Sequence, residues 1–263
     1  MITRKFISVP SGTIHCAMAG SGRPVLLLHQ TPRSWDEFRD VLPLLGQHFH
    51  TIAMDTMGFG DSSRLPTGTD SIEKWAEVAI SLLDALGIKR AAVVGHHTGA
   101  VTATELAAAY ADRIDAVVLS AAPLLDAAFR TAHSGPPPVD NVTPRADGGH
   151  LAELWSQRAP WYPPGNIDLM NRFIVDALKA GPLALEGHMV VSRYVMETKL
   201  PKIRCPVLIV APTADPFAYP FARPLAARIA GSRVVDIPGG MIPLPDQMPT
   251  EFARVVADFL SNL

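Results

Sequence analysis

One short stretch decides how this chain folds: Ala91-Ala92-Val93-Val94-Gly95-His96-His97-Thr98-Gly99-Ala100. It opens with an unbroken apolar run, which is typical of a parallel strand covered on both faces. Helix-forming residues follow from Val101 to Ala111. The stretch therefore predicts a strand, a tight turn and a helix. His97 stands at the centre of the turn, with a glycine two residues away on either side.

The rest of the chain repeats this alternation of strands and helices. We expect a β-hairpin over 5–19 and further strands at 25–30, 51–55, 116–121, 206–211 and 233–237. Between strands, apolar residues recur at helical spacing, most clearly over 72–86, and Gly87 is placed to end that helix. A further helix is expected over 220–229. Strands joined by helices form right-handed crossovers, so the sequence predicts an α/β fold with a doubly wound, mostly parallel sheet.

Residues 125–200 break this pattern. They contain Pro136-Pro137-Pro138 and further prolines, no convincing strand, and helical stretches at 151–158, 167–180 and 183–198. We interpret this region as a helical cap inserted between the sixth and seventh strands of the sheet. The predicted domains are accordingly a core at 1–124 and 201–263 and a cap at 125–200.

Composition excludes several classes of function. Apolar residues make up 48% of the 263 residues, which allows a large core, and the formal charge of −2 gives no footprint for nucleic acid or an acidic membrane. No apolar run reaches the ~18 residues of a membrane span, and the N-terminus does not resemble a signal peptide. With Cys16 and Cys205 interpreted as free thiols, we expect a soluble, cytoplasmic protein. The cap surface or an edge strand offers a surface for a homodimer.

Five motifs resemble the α/β-hydrolase fold family, on its epoxide hydrolase and dehalogenase branch. The turn around His97 resembles the nucleophile elbow, whose strained central residue is exposed above the sheet edge at a helix N-terminus. Asp215 follows a late strand, where the family keeps its catalytic acid. The other matches are the oxyanion loop His29-Gln30-Thr31-Pro32, the turn Asp55-Thr56-Met57-Gly58-Phe59-Gly60-Asp61-Ser62, and the last loop, Ile237-Pro238-Gly239-Gly240 with Asp246 and Pro249.

Three departures from the family pattern bear on function. The elbow presents His97 where the family has Ser, Cys or Asp, and Met241 and Ile242 occupy the stretch where the family has its catalytic histidine. Gln30 replaces the glycine of the oxyanion loop. A hydroxyl nucleophile activated by a separate imidazole is therefore absent from its usual place.

One hypothesis explains the changes at the elbow and the last loop together. An imidazole at the elbow reaches farther into a pocket than a serine hydroxyl, and the loss of the loop histidine leaves space beside Asp215. We therefore expect a His97–Asp215 dyad, in which the carboxylate fixes the imidazole tautomer and His97 acts as a general base. The backbone N–H of Thr98, with that of Gln30 or Thr31, is the expected oxyanion hole.

Further side chains are candidates for contact with a substrate. They are aromatic and imidazole residues of the cap and residues around the oxyanion and last loops: His29, Arg33, Trp155, Trp161, Tyr162, His188, Tyr194, Met241 and Ile242. Packing explains the cap residues equally well, bracing of the oxyanion loop explains His29, and an exposed helix start explains Arg33. His96 and His97 point apart at a turn and no further ligand stands at metal spacing, so we expect no metal and no cofactor.

The sequence favours a cofactor-independent enzyme that acts on a small, partly apolar organic molecule. The first expectation is hydrolysis of an ester, lactone or activated carbon–carbon bond by direct attack of water. The second is proton abstraction from carbon, as in a lyase, decarboxylase or cyclase. The third is a non-catalytic binding protein or receptor. Contact between His97 and Asp215 favours an enzyme, whereas a His97 packed against apolar side chains favours a binder.

Overall fold

Eight strands form one sheet in the computed structural model, which describes residues 1–263. The strands are β1 (Thr3–Val9), β2 (Gly12–Ala19), β3 (Pro24–Leu28), β4 (His50–Met54), β5 (Ala91–His96), β6 (Ile114–Ser120), β7 (Val207–Pro212) and β8 (Arg233–Ile237). Their order is β1-β2-β4-β3-β5-β6-β7-β8. β2 is antiparallel to both β1 and β4, and all other neighbours are parallel. The predicted α/β class and mostly parallel sheet are confirmed.

Helices cover both faces of this sheet. They are α1 (Leu42–Leu45), α2 (Ile72–Ala85), α3 (Thr98–Ala109), α4 (Ala127–Ala132), α5 (Gly149–Arg158), α6 (Ile167–Ala180), α7 (Leu183–Arg193), α8 (Ala222–Ala226), α9 (Leu244–Gln247) and α10 (Pro249–Ser261). Successive β3 residues point to opposite faces: Leu26 belongs to one apolar cluster with α2 and α3, and Leu27 to a second cluster with α10. Burial on both faces explains why the inner strands are continuously apolar.

Two predicted helices are shorter than expected. The helix expected over 183–198 ends at Arg193, because Tyr194 takes an extended backbone while its hydroxyl donates a hydrogen bond to Glu105 of α3 (2.6 Å). The helix expected over 220–229 is a 3₁₀ turn followed by the five residues of α8, and beyond α8 the backbone bonds tighten to i→i−3 spacing. The end of α7 thus coincides with a contact to a distant helix that the local pattern does not contain.

Only helices and loops connect β6 to β7, and α4 to α7 lie in this connection. We propose that residues 125–200 form a cap on a core made of 1–124 and 201–263. α7 docks closely on the core: a Cβ added to Gly187 would lie 2.8 Å from Cγ2 of Thr31.

No helix combines the length and apolar character that crossing a membrane requires. Phe6 on the edge strand β1 is exposed, and the homodimer stays a prediction.

Candidate active site

The turn between β5 and α3 places His97 in a strained backbone conformation. His97 has φ 47° and ψ −111°, a region that residues with a side chain rarely adopt. The flanking glycines make the turn possible: a Cβ on Gly95 would collide with the carbonyl of Gly99, and one on Gly99 with the carbonyl of Leu28. Because backbone strain persists only where the surroundings enforce it, the turn holds the imidazole in a set position.

His97 contacts Asp215 directly. Its Nε2 lies 2.9 Å from Oδ2 of Asp215, in the loop after β7. The other carboxylate oxygen, Oδ1, accepts hydrogen bonds from the backbone N–H groups of Phe217 and Ala218, both 2.9 Å. Burial favours a higher pKa for Asp215, but the His97 ring and these amides outweigh it and hold the pKa below its ordinary value. Asp215 is thus an ionised, fully buried acceptor.

This contact determines the tautomer of His97. A carboxylate only accepts hydrogen bonds, so Nε2 carries the hydrogen that faces Asp215. Nδ1 has no hydrogen-bond partner in the protein, and the side chain keeps 12% of its surface exposed. In the neutral form of the ring, Nδ1 therefore carries the free lone pair, and the buried acid orients the imidazole from behind.

His96 connects the elbow to the last loop. Its Nε2 donates to the carbonyl of Ile242 (2.6 Å), and its Nδ1 lies 3.0 Å from the hydroxyl of Ser120. Burial, and next the adjacent His97, lower the pKa of His96 to about 3. His96 is therefore neutral at physiological pH, and Nδ1 accepts from the Ser120 hydroxyl. The residue ties three segments together behind the site.

The expected oxyanion donors differ in availability. The N–H of Thr98, the first residue of α3, has no acceptor in the protein. The N–H of Thr31 donates to the hydroxyl of Thr98 at 3.2 Å, a long bond that an incoming oxygen can replace. The N–H of Gln30 donates to the buried carboxyl group of Glu37 (2.9 Å). Thr98 and Thr31 remain candidate oxyanion donors, and Gln30 does not.

A cavity of about 540 Å³ lies between the core and the cap. Both elbow residues, His97 and Thr98, line it, together with Gln30 and Thr31. The segment after β6, the cap and the last loops supply the remaining walls: Pro123, Phe129, Ala132, His133, Gly135, Pro136, Pro137, Pro138, Val139, Arg158, Trp161, His188, Met189, Val191, Ser192, Phe217 and Ile242. This size and apolar character are typical of small-molecule sites.

One cluster of polar groups could hold a cation. Ligand atoms of His15, Asp55 and Asp61 lie within 4.8 Å of one another. Hydrogen bonds already use these atoms: His15 Nδ1 donates to Asp55 (2.8 Å), and His15 Nε2 accepts from Arg4 (2.9 Å). An arginine against the ligand nitrogen is unsuited to a metal site, and the cluster lies outside the lining of the cavity.

Comparison with known proteins decides the family. The family model of the alpha/beta hydrolase fold matches residues 23–167, more than half of the chain. The chain belongs to the α/β-hydrolase fold family. A fluoroacetate dehalogenase from Burkholderia sp is 26% identical over 298 aligned positions, which cover 98% of this chain and 94% of that protein. The resemblance to the dehalogenase and epoxide hydrolase branch is confirmed.

Two further similarities agree with this α/β-hydrolase assignment. A soluble epoxide hydrolase from Corynebacterium sp. (strain C12) is 42% identical over 86 residues, 33% of this chain, and the match spans only 30% of that relative's length. The crystal structure of an enol-lactonase from Burkholderia xenovorans LB400 superposes with a TM-score of 0.79 at 22% identity, covering 98% of this chain and 100% of the other. The latter shows a shared fold.

Some of the predicted substrate contacts line the cavity of this α/β-hydrolase and others do not. Trp161, His188 and Ile242 do. Five lie outside its lining: His29, Trp155, Tyr162, Tyr194 and Met241. His29 braces the oxyanion loop, because one ring nitrogen contacts the Gln30 carbonyl (2.8 Å) and the other accepts from the N–H of Thr56 (3.0 Å).

The four others are held elsewhere. Tyr162 is buried in a cluster within the cap, and Trp155 packs against that cluster. Tyr194 is buried against α3, where it donates to Glu105. Met241 anchors the last loop through its N–H, which donates to Gln247 (2.6 Å). The three cap residues have the packing contacts that the sequence left open as an alternative, and Met241 has a backbone contact within the last loop.

Arg33 requires a correction. The sequence suggested either a residue at the pocket mouth or an exposed helix start, but the side chain is fully buried and outside the lining of the cavity. Its three guanidinium nitrogens pair with Asp36, Asp176 and Asp246. Because these acids come from the core and from α6 of the cap, the guanidinium links the two regions, and its burial outside the lining of the cavity keeps it from a substrate bound there.

Phe217 and Arg158 are two of the cavity residues that the sequence analysis did not single out. Phe217 stacks on the His97 ring, with centroids 6.1 Å apart and planes inclined by 16°. Its position directly after Asp215-Pro216 was the available signal. Arg158 lines the roof of the cavity from the end of α5. Nothing in its local sequence distinguishes it from a solvent-exposed arginine at the end of a helix.

Proposed function

We propose that this α/β-hydrolase hydrolyses a small organic molecule by general-base catalysis, with His97 as the base and Asp215 as the acid that orients it. The observation that carries the proposal is the 2.9 Å contact from Nε2 of His97 to Asp215, which leaves Nδ1 unpaired at a cavity. The expected substrates are an ester, a lactone or a compound with an activated carbon–carbon bond.

The reaction would proceed by direct attack of water. Nδ1 of His97 takes a proton from a water molecule as the water oxygen attacks the electrophilic carbon, and Asp215 stabilises the imidazolium that forms. The N–H groups of Thr98 and Thr31 would donate to the developing oxyanion. Collapse of the intermediate returns the proton to the leaving group, so His97 ends the cycle neutral. No covalent enzyme intermediate is needed.

The same base supports a second candidate reaction. An unpaired imidazole nitrogen in a largely apolar cavity can also abstract a proton from carbon. The lyase, decarboxylase or cyclase alternative therefore uses the same dyad, with no oxygen from water entering the product. The two chemistries differ in a way that labelled solvent detects.

The test is a screen of esters, lactones and β-keto acids against wild type, His97→Ala and the surface variant His48→Ala. We expect turnover in wild type and His48→Ala and a loss of about 10²–10⁴-fold in His97→Ala. Oxygen from labelled water in the product identifies hydrolysis, and its absence with turnover identifies proton abstraction. Turnover that is equal in His97→Ala and wild type would rule out the dyad. Tight binding with no turnover in wild type would favour a binding protein.

A further inference from the structure

A second acid–base cluster lies in the cap, around Asp140. Arg158 donates to Asp140 from two nitrogens: Nε contacts Oδ1 at 2.8 Å, and Nη2 contacts Oδ2. Nε2 of His188 lies 2.8 Å from the same Oδ2. All three residues belong to the cap, and Arg158 and His188 line the cavity while Asp140 does not. The acid thus holds two basic side chains at the cavity roof.

The cluster leaves two polar atoms without a partner. Nη1 of Arg158 has no hydrogen-bond partner in the protein. This nitrogen is not fully closed off from solvent. Since Nε2 of His188 faces a carboxylate, Nδ1 is its remaining nitrogen, and it too has no partner. Nine-tenths or more of Arg158 is buried, and because the residue lines the cavity, a ligand in the cavity can supply the partner that this donor lacks.

The other buried arginine, Arg33, has no unpaired guanidinium nitrogen. Arg33 has an acidic partner on each of its three nitrogens. Arg158 has one acid for its whole guanidinium. A buried cationic donor left open at a cavity is costly unless a ligand completes it.

The charges of the residues that line the cavity indicate which chemical group of a ligand would bind to Arg158. No aspartate or glutamate is among the lining residues, and Arg158 is the one arginine there, with no lysine. Guanidinium donors match carboxylates in geometry and charge. The remaining walls include Phe129, Trp161 and Phe217, which suit an apolar body rather than a heavily charged ligand such as a polyphosphate.

We propose that Arg158 and His188 form a carboxylate-binding subsite, held by Asp140, and that the substrate is a small organic acid with an apolar body. The carboxylate lies against the cap while the reacting group lies at His97, a placement that rests on the function proposed above. The subsite itself is a binding property and does not depend on turnover.

Binding of paired probes tests this subsite. The probes are acetate, butyrate and phenylacetate, each compared with its primary amide, which has nearly the same shape and no charge. Affinities are measured by calorimetry or ligand-observed NMR for wild type and for His97→Ala. We expect at least one acid to bind both proteins about ten- to a hundredfold more tightly than its amide, the range of a charge-assisted hydrogen bond.

The matched variant is the double substitution Asp140→Asn/Arg158→Gln, because removing Arg158 alone leaves the buried Asp140 carboxylate with His188 as its one remaining basic partner. We expect the preference for acid over amide to vanish in the folded double variant, and Arg158→Lys to retain part of it. Equal binding of acid and amide by wild type, no binding of any acid, or a preference that survives in the double variant would each overturn the subsite. A preference retained in a protein that turns over no substrate would overturn the function and leave the subsite standing.

Discussion

The core and the cap each hold an aspartate against a histidine at the cavity, but they anchor the acid differently. Asp215 in the core is held by two backbone amides, whereas Asp140 in the cap is held by the Arg158 side chain. Backbone donors are placed by the fold itself and carry no net charge, so the core pair presents only the His97 ring to the cavity. The cap pair presents a cation. This difference agrees with the two proposals, which assign catalysis to the core pair and ligand binding to the cap pair.

Asp215→Asn should give the largest effect. The amide cannot hold the Nε2–H tautomer of His97 as a carboxylate does, so kcat should fall about 10²–10⁴-fold with little change in the circular dichroism spectrum. Steady-state kinetics on the substrate found by the screen measures the change. The exposed Asp112→Asn is the matched control. A kcat within twofold of wild type would place the orienting acid elsewhere.

His96→Ala should lower stability strongly. It leaves the Ile242 carbonyl and the Ser120 hydroxyl buried without their partner, and each such group costs about 1–3 kcal/mol. We expect the free energy of unfolding to fall by about 3 kcal/mol in urea titrations. His96→Gln should recover part of this loss, because its amide can replace one of the two bonds. Equal losses in both variants would show that the ring acts by packing alone.

Asp140→Asn should make the stability of the cap less dependent on pH. Burial raises the pKa of Asp140, but Arg158 and His188 outweigh it and lower the pKa from 3.8 to about 2. A group with a depressed folded pKa stabilises the protein above its unfolded pKa and loses that contribution as the pH falls through the folded value. At about 1.4 kcal/mol per tenfold change in the ionisation constant, the contribution is about 2 kcal/mol.

The check is urea unfolding of wild type and Asp140→Asn at several pH values. The difference between them should be constant above about pH 4 and shrink toward about pH 2. Asp112→Asn should show no such window. A difference that grows on acidification would contradict the ion pair.

Gly187→Ala should give the smallest effect. The new Cβ would lie 2.8 Å from Thr31 Cγ2 and 3.1 Å from the Phe59 ring, so α7 must shift away from the oxyanion loop. We expect a loss of about 1 kcal/mol in unfolding free energy. We also expect a raised KM, because the cap packs less closely on the core. Gly165→Ala, at an open loop position with a φ of 77°, destabilises by backbone strain alone and should leave KM unchanged. An unaltered KM in Gly187→Ala would separate cap docking from substrate binding.

Much of the core was predictable from the sequence because its signals are local. The strand positions follow from continuous apolar runs, and the turn at His97 follows from two glycines without which the backbone would collide. The pairing of His97 with Asp215 was inferred from two simultaneous departures from a family pattern. By contrast, Gln30 was expected to offer its N–H to an oxyanion. The Gln30 N–H instead donates to Glu37. The two residues are seven positions apart, and no local pattern in the sequence indicates this contact.

The sequence by itself determined the succession of strands and helices along the chain, the strained turn and the imidazole ring at its centre. These features depend on apolar periodicity, on glycines and on residue type, which are properties of a few neighbouring residues. The tertiary structure decided which nitrogen of that ring faces the acid. It also buried Arg33 among three carboxylates and left one nitrogen of Arg158, a residue that lines the cavity, without a hydrogen-bond partner. Those outcomes depend on which distant segments meet, and both arginines look alike until burial and the count of nearby acids distinguish them.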